Sequence, residues 1–299
     1  MGQNTYVAVG NKNDVADLVT NIAPVDTPFT KMCGKGKTTA VTHSWMEDDL
    51  EAPGANAKVE GATFTVDAPN PRAMKENYTQ IMSKGYGVTE SQEVAAKYGG
   101  VSSEIGYQMA KAMKKVARDM EYAFLTNATR SIGSATTART MGGAPYFITT
   151  NVVALVGAAG AMPALTEAAV NEALQDCWQA GGTPSKVFLS GNNKRQVSAW
   201  SGEGEKYLEQ NSKKLVNSIS VYESDFGIVS FVPHRMMNDN TVFVIDPEYW
   251  KIAYYRTLKT LDLPKDADME KKTIIGELTL EARAEKANAK ITLTQGAGA

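Results

Sequence analysis

Cysteine and histidine are scarce in this chain of 299 residues: Cys33 and Cys177, His43 and His234 are all there are. Two cysteines so far apart make no disulfide framework, which suits a reducing compartment. The four side chains show no metal-ligand spacing, so a zinc site is not expected. Neither histidine belongs to a Ser, Cys or carboxylate motif, and no catalytic centre or cofactor site is legible. An excess of one charge is missing too. Lys and Arg number 31 against 33 Asp and Glu, a net charge of -2, which gives no reason to expect strong general binding of nucleic acid. The longest apolar run, VVALVGAAGAM at 152–162, is too short and glycine-rich to span a bilayer. The N-terminus lacks the basic region and apolar core of a signal peptide. Tyr6 stands where a myristoylation motif after Gly2 needs Ser or Thr. What is present is ordinary for a folded protein: 43% apolar and 21% charged residues, with length for one or two domains and a real core.

Several stretches imitate catalytic motifs. MCGKGKTT at 32–39 ends like a P-loop, but the first glycine of that motif would be residue 31, which is Lys31. A P-loop follows a buried strand and opens a helix, so that backbone N–H groups face phosphate. Here Pro24 and Pro28 precede it and a strand-like run follows. Asp225-Phe226-Gly227 spells a kinase DFG without a catalytic-loop motif upstream, and reads as a hairpin turn. LSGNN at 189–193 lacks the first glycine of a nucleophile elbow. Glu47, Asp48, Asp49 and Glu51 offer the oxygen ligands a hard cation wants, but pairing with Lys or Arg of a neighbour is the better use of such a cluster.

The chain divides by texture. Residues 1–36 form a proline-containing arm. Thr38 to Trp45 alternates as a half-buried strand, and Tyr78 to Tyr86 reads as its returning partner. Pro53, Gly54, Gly61, Pro69 and Pro71 lie between them. Extended, the residues from Thr38 to Leu50 reach roughly 40 Å at about 3.3 Å each. An isolated hairpin of this kind is marginal in water, so it must lie on its own body or on another subunit. TESQ at 89–92 is a capping box opening a short helix that Gly99 closes. Ile105, Met109, Met113, Val116, Met120 and Phe124 then trace one apolar face of a long helix from Ser103 to Asn127, capped by Ser102 or Ser103. Lys111, Lys114, Lys115 and Arg118 lie largely off that face and read as solvated. The second half alternates. A helix with Val170, Leu174, Cys177 and Trp178 on one side stops at Gly181 and Gly182. A buried strand KVFLS and a short helix follow, then two strands around Asp225 and Gly227, then a strand in TVFVIDPEYWKIAYYR. Two final strands are best defined at Glu277 to Ala282 and Ile291 to Thr294.

This order of textures resembles the Hong Kong 97-type capsid fold. APVDTPFTKMCGKGKTTAVTHSWMEDDL, NYTQIMSKGYGVTESQEVAAKYGG, VYESDFGIVSFVPHRMM and IIGELTLEARAEKANAKI are similar to major capsid proteins of tailed bacteriophages, short-tailed phages among them. The resemblance runs from about Asn13 to Thr294 and implies an α+β fold. Its parts would be an N-terminal arm (1–36), an extended loop (37–85), a peripheral domain with a long spine helix (86–149), an axial α/β domain (150–250), and return strands of the peripheral domain (251–299). It implies a structural protein, not an enzyme, without cofactor or metal. Such a protein assembles into hexamers and pentamers of an icosahedral shell around phage DNA, in the virion after assembly in the host cytoplasm. The implied partners are other copies of the chain, a separate scaffolding protein, a portal protein at one vertex, and DNA held on the inner face without sequence specificity, with no membrane. An encapsulin-like cargo shell is an alternative, as is a soluble α/β enzyme or binding protein with the loop folded on its own body. On the capsid reading GKGK becomes the hinge between arm and loop, with Gly34 and Gly36 supplying unusual backbone angles. The candidate inter-subunit contacts are Lys35, Lys37, Trp45, Glu47, Asp48, Asp49 and Lys58.

Overall fold

A computed structural model describes residues 26–63, 70–95, 102–200, 220–265 and 267–296. The first 25 residues of the expected arm, Pro69 of the loop and the helix stop at Gly99 lie outside them. The chain forms two compact units. The smaller holds residues 83–118 and 258–275, and the larger holds 27–82, 119–257 and 276–299.

In the larger unit a six-stranded mixed sheet carries the main core. Its order is β5 (Val152–Ala159), β12 (Ala289–Gly296), β9 (Thr241–Ile245), β6 (Lys186–Leu189), β8 (Gly227–Pro233) and β7 (Val221–Ser224). Strand alternation sorts the side chains to two faces. Val187, Leu189, Val242, Val244 and Ile291 pack with Val170, Leu174 and Cys177 of helix α5 (Glu167–Gln179). Phe188, between Val187 and Leu189, points to the other face and meets Phe29 at 5.8 Å. Local signals set the element ends. Thr166 and Ser190 accept N–H groups at the starts of α5 and α6 (Gly191–Ser198). Gly181, at φ +84°, ends α5 as expected. Trp178 departs from expectation: it is 56% exposed and stacks on Phe226 at the hairpin turn.

A second sheet has the order β1 (Gly34–Lys37), β10 (Trp250–Asp262), β11 (Met269–Ala282), β4 (Gln80–Thr89). Two expectations fail here. TVFVIDPEYWKIAYYR is two strands, because Asp246-Pro247 starts a single 3-10 turn that ends β9 and redirects the chain into β10 of the other sheet. And residues 251–299 do not all return together: β12 pairs with β5 and β9 in the six-stranded sheet.

The smaller unit contains the first two thirds of helix α3 (Glu104–Thr126) and the short helix α2 (Glu90–Val94). Thr89 accepts the Gln92 N–H, half of the expected capping box. Ser103 caps α3 through Gly106 N–H, and the Glu93 carboxylate accepts from Glu104 N at 2.8 Å and Ile105 N at 3.2 Å, a cap that no sequence signal announced. The apolar face of α3 is not buried throughout. Ala112 and Val116 are buried, whereas Met109 and Met113 are 41% and 46% exposed. Val116, Met120 and Phe124 match the expected core.

Candidate assembly surface and its anchorage

The arm-to-loop junction is built differently from the hinge expected of it. Pro28–Met32 is a short helix, α1, and Gly34–Lys37 is strand β1, paired in parallel with residues 251–254. Helix before strand is the reverse of a P-loop. Gly34 and Gly36 have no positive φ. A Cβ at Gly34 would sit 3.2 Å from Lys251 Cγ, a tight contact with a flexible side chain. Lys35 and Lys37 are exposed on this edge strand.

The loop itself is a two-stranded ribbon of β2 (Thr42–Glu47) and β3 (Ala73–Tyr78), with Ser44 opposite Glu76 and Met46 opposite Met74. The returning strand is therefore 73–78, not 78–86. Residues 73–76, Ala-Met-Lys-Glu, carry no strand pattern of their own and are paired with β2. Trp45 points inward, 9% exposed, 5.6 Å from the Phe147 ring, with its indole N–H toward Glu47 at 3.4 Å. Burial pushes the Glu47 carboxyl up, partly offset by that bond. On the outer face Met46 and Met74 are 67% and 64% exposed. Every residue from 48 to 63 is exposed, including Leu50 at 98% and Val59 at 83%.

Buried polar groups fix the root of this ribbon. Asn77 is fully buried and satisfied. Its amide donates to the carbonyls of Gly142 and Leu280 at 3.0 and 2.7 Å, and its oxygen accepts from Gly142 N and Tyr78 N at 2.8 and 2.9 Å. Glu277, 3% exposed, accepts from Thr79 Oγ1 at 2.6 Å, from Arg256 at 2.9 Å and from Arg139. Glu281 accepts from His43 Nε2, 3.0 Å away, when that nitrogen carries the proton, and from Arg283. Burial alone would raise the Glu281 carboxyl, but the bonds from His43 and Arg283 outweigh it and hold the group below its ordinary range. Arg130 lies over the Tyr78 and Tyr146 rings at 5.0 and 5.4 Å and donates to the Glu76 carbonyl and carboxylate.

The acidic candidates do not converge. Asp48 pairs with Arg72 at 3.4 Å and Asp49 with Lys286 at 2.6 Å, both at the surface. Among the described residues no three His, Cys, Asp or Glu side chains form a group that could hold a metal ion. Trp45, Asp48 and Asp49 thus meet partners within the subunit, the two aspartates at its surface, while Lys35, Lys37 and Lys58 are exposed. Cys33 and Cys177 are buried, and burial pushes the Cys177 thiol up to about 12, so neither offers a thiolate. The DFG lookalike is a turn with Gly227 at φ +135°.

The anchors Asn77, Glu277, Glu281 and Arg139 were missed from sequence. One signal was present: Glu277 and Glu281 stand in the stretch 274–282, whose other residues are apolar or small, a pattern that calls for buried cationic partners.

The described residues form an α+β fold that includes a two-stranded ribbon, and the fold is that of Hong Kong 97-type phage capsids. A capsid chain of cyanophage A-1(L) superposes with a TM-score of 0.68 at 13% identity, over 97% of this chain and 98% of that one. A chain of Mycobacterium phage Bobi gives 0.66 at 12% identity, over 96% of each. A capsid chain of an empty GTA particle gives 0.66 at 13%, over 97% and 98%. A family profile for the SU10 major capsid protein matches residues 2–295, and the chain belongs to that family, one of structural capsid proteins and not of enzymes. The major capsid protein of Escherichia phage Phieco32 is 34% identical over 128 residues, 42% of this chain and 36% of the length of that relative.

Proposed function

We propose that this chain is the subunit of a phage capsid shell, assembling with copies of itself into rings of six and five that enclose the genome. The observation that carries the reading is the ribbon of β2 and β3. Its root is locked into the subunit by Asn77, Glu277 and Glu281, and its far part exposes Met46, Leu50, Val59 and Met74. A rigid root under an uncovered apolar tip fits a segment that finds its cover on a neighbouring subunit. Obligate interfaces bury roughly 2,000–5,000 Å², so many modest contacts per subunit suffice. Lys35, Lys37, Asp48 and Lys58 are the exposed charges we place at these boundaries, with Glu47 and Asp49 beside them. We further propose that residues 1–36 act as the arm, 37–85 as the extended loop, and the six-stranded sheet as the axial domain. A separate scaffolding protein would guide assembly in the host cytoplasm, with a portal at one vertex and DNA held without sequence specificity.

The test is removal of residues 48–72 with a short turn joining the strands. The deletion spares both main sheets and all the buried anchors, and among the described residues it removes the surface ion pairs of Asp48 and Asp49, exposed contacts of little weight in stability. The subunit should melt as the intact one does and form no particles by electron microscopy when scaffold is supplied. Normal shells from the shortened protein would refute the role of the loop.

A further inference from the structure

One buried carboxylate lies apart from the ribbon and its anchors. Glu121, on α3, has a side chain with 0% exposure. It accepts the first N–H groups of α1, Phe29 N at 2.7 Å on Oε1 and Thr30 N at 2.8 Å on Oε2, and the Thr30 hydroxyl at 2.5 Å on Oε2. His234 supplies a fourth bond from Nε2 at 3.1 Å. The ring tautomer follows from its other side: Nδ1 accepts the Met236 N–H at 3.1 Å, so Nε2 carries the proton. Three of these four bonds thus come from residues 29 and 30, some ninety positions earlier in the chain. The Phe29 ring is fully buried beside them, 5.9 Å from Phe124, 5.8 Å from Phe188 and 5.7 Å from Trp250.

We propose that Glu121 is a positioning residue that locks the root of the N-terminal arm, seating residues 27–33 in the subunit and so fixing the point from which the preceding chain departs. Seating is close to all-or-none. Withdrawing α1 would expose Phe29 and at the same time leave a buried carboxylate facing His234 alone, and an unsatisfied buried polar group is expensive. Gly34 and Gly36, the expected hinge, are likewise held in the subunit, in strand β1. The lock belongs to the single subunit, so it stands or falls independently of the shell reading.

The experiment uses the full-length unassembled protein and Glu121→Gln, which keeps the side-chain length but presents one acceptor oxygen where two receive N–H groups. Two rates are read: tryptic cleavage after Lys31, and hydrogen exchange of the peptide covering 27–33, with the α5 peptide as internal control. Both should quicken on the order of tenfold to a hundredfold at the arm root while α5 is unchanged. Unchanged rates at the root, or equal acceleration in α5, would overturn the proposal. If Glu121→Gln does not accumulate as soluble protein, Thr30→Val decides on the same readouts. Removing that one hydroxyl bond should speed the root several-fold and spare α5, and no selective effect counts against the lock.

Discussion

The six-stranded sheet and the β2–β3 ribbon belong to the same unit and are built to opposite rules. In the sheet Val187, Val242, Val244 and Ile291 have no exposed surface at all, and a helix covers them. In the ribbon the described residues Met46, Leu50, Val59 and Met74 are largely exposed, and Leu50 is exposed almost as fully as in an unfolded chain. One region completes its own core. The other is held only at its root, and its outward apolar surface has a use only if another surface meets it.

The sharpest way to break this contrast is inside the sheet. Phe188→Ala should cost about 3–5 kcal/mol, since an aromatic ring packed on every side leaves a cavity. That is a large part of the stability of an ordinary domain, and chemical unfolding of the soluble subunit would measure it. A loss under about 1 kcal/mol would mean that this sheet is not the self-sufficient region.

A smaller effect is expected at the ribbon root. Folding lowers the Glu281 carboxyl, so the folded state binds fewer protons there than the unfolded chain does. Its contribution is therefore complete at neutral pH and is lost as the pH falls through and below the ordinary carboxylate range. Urea midpoints taken between neutral pH and about pH 4 should fall less steeply for Glu281→Gln than for the native sequence. Parallel profiles would remove Glu281 as an anchor.

The smallest effect on stability belongs to the tip. Leu50→Ser should shift unfolding of the isolated subunit by no more than about 0.5 kcal/mol while lowering particle yield with scaffold present. Melting that drops with assembly intact would reverse the assignment of the two regions.

Much of the fold was legible because its signals are local. Thr89 caps the helix that follows it, Gly181 ends α5, Gly227 turns the β7–β8 hairpin, and the span of α3 differs from the expected Ser103–Asn127 by one residue at each end. The surface was legible only in part. The exposed run of acids and prolines pointed to the ribbon, but Trp45 looked like an outward contact and lies against Phe147. Met109 and Met113 share a periodic face with Val116 and Met120, yet only the latter pair is covered. A helical period states which side chains share a face, and not how far along the helix its cover extends.

By itself the sequence determined the ends of a few elements, α3 and α5 among them, and a resemblance strong enough to name the fold. These rest on neighbours within a turn or two of one another, where propensity and capping act. Only the tertiary structure decided that β1 lies parallel to β10, that β12 joins the sheet of β5, and that β9 and β10 part at Pro247. It alone decided that Glu121, Glu277 and Glu281 find their donors across the fold. A buried charge must be met by whatever the folded chain brings within about 3 Å, and that partner has no fixed distance along the sequence.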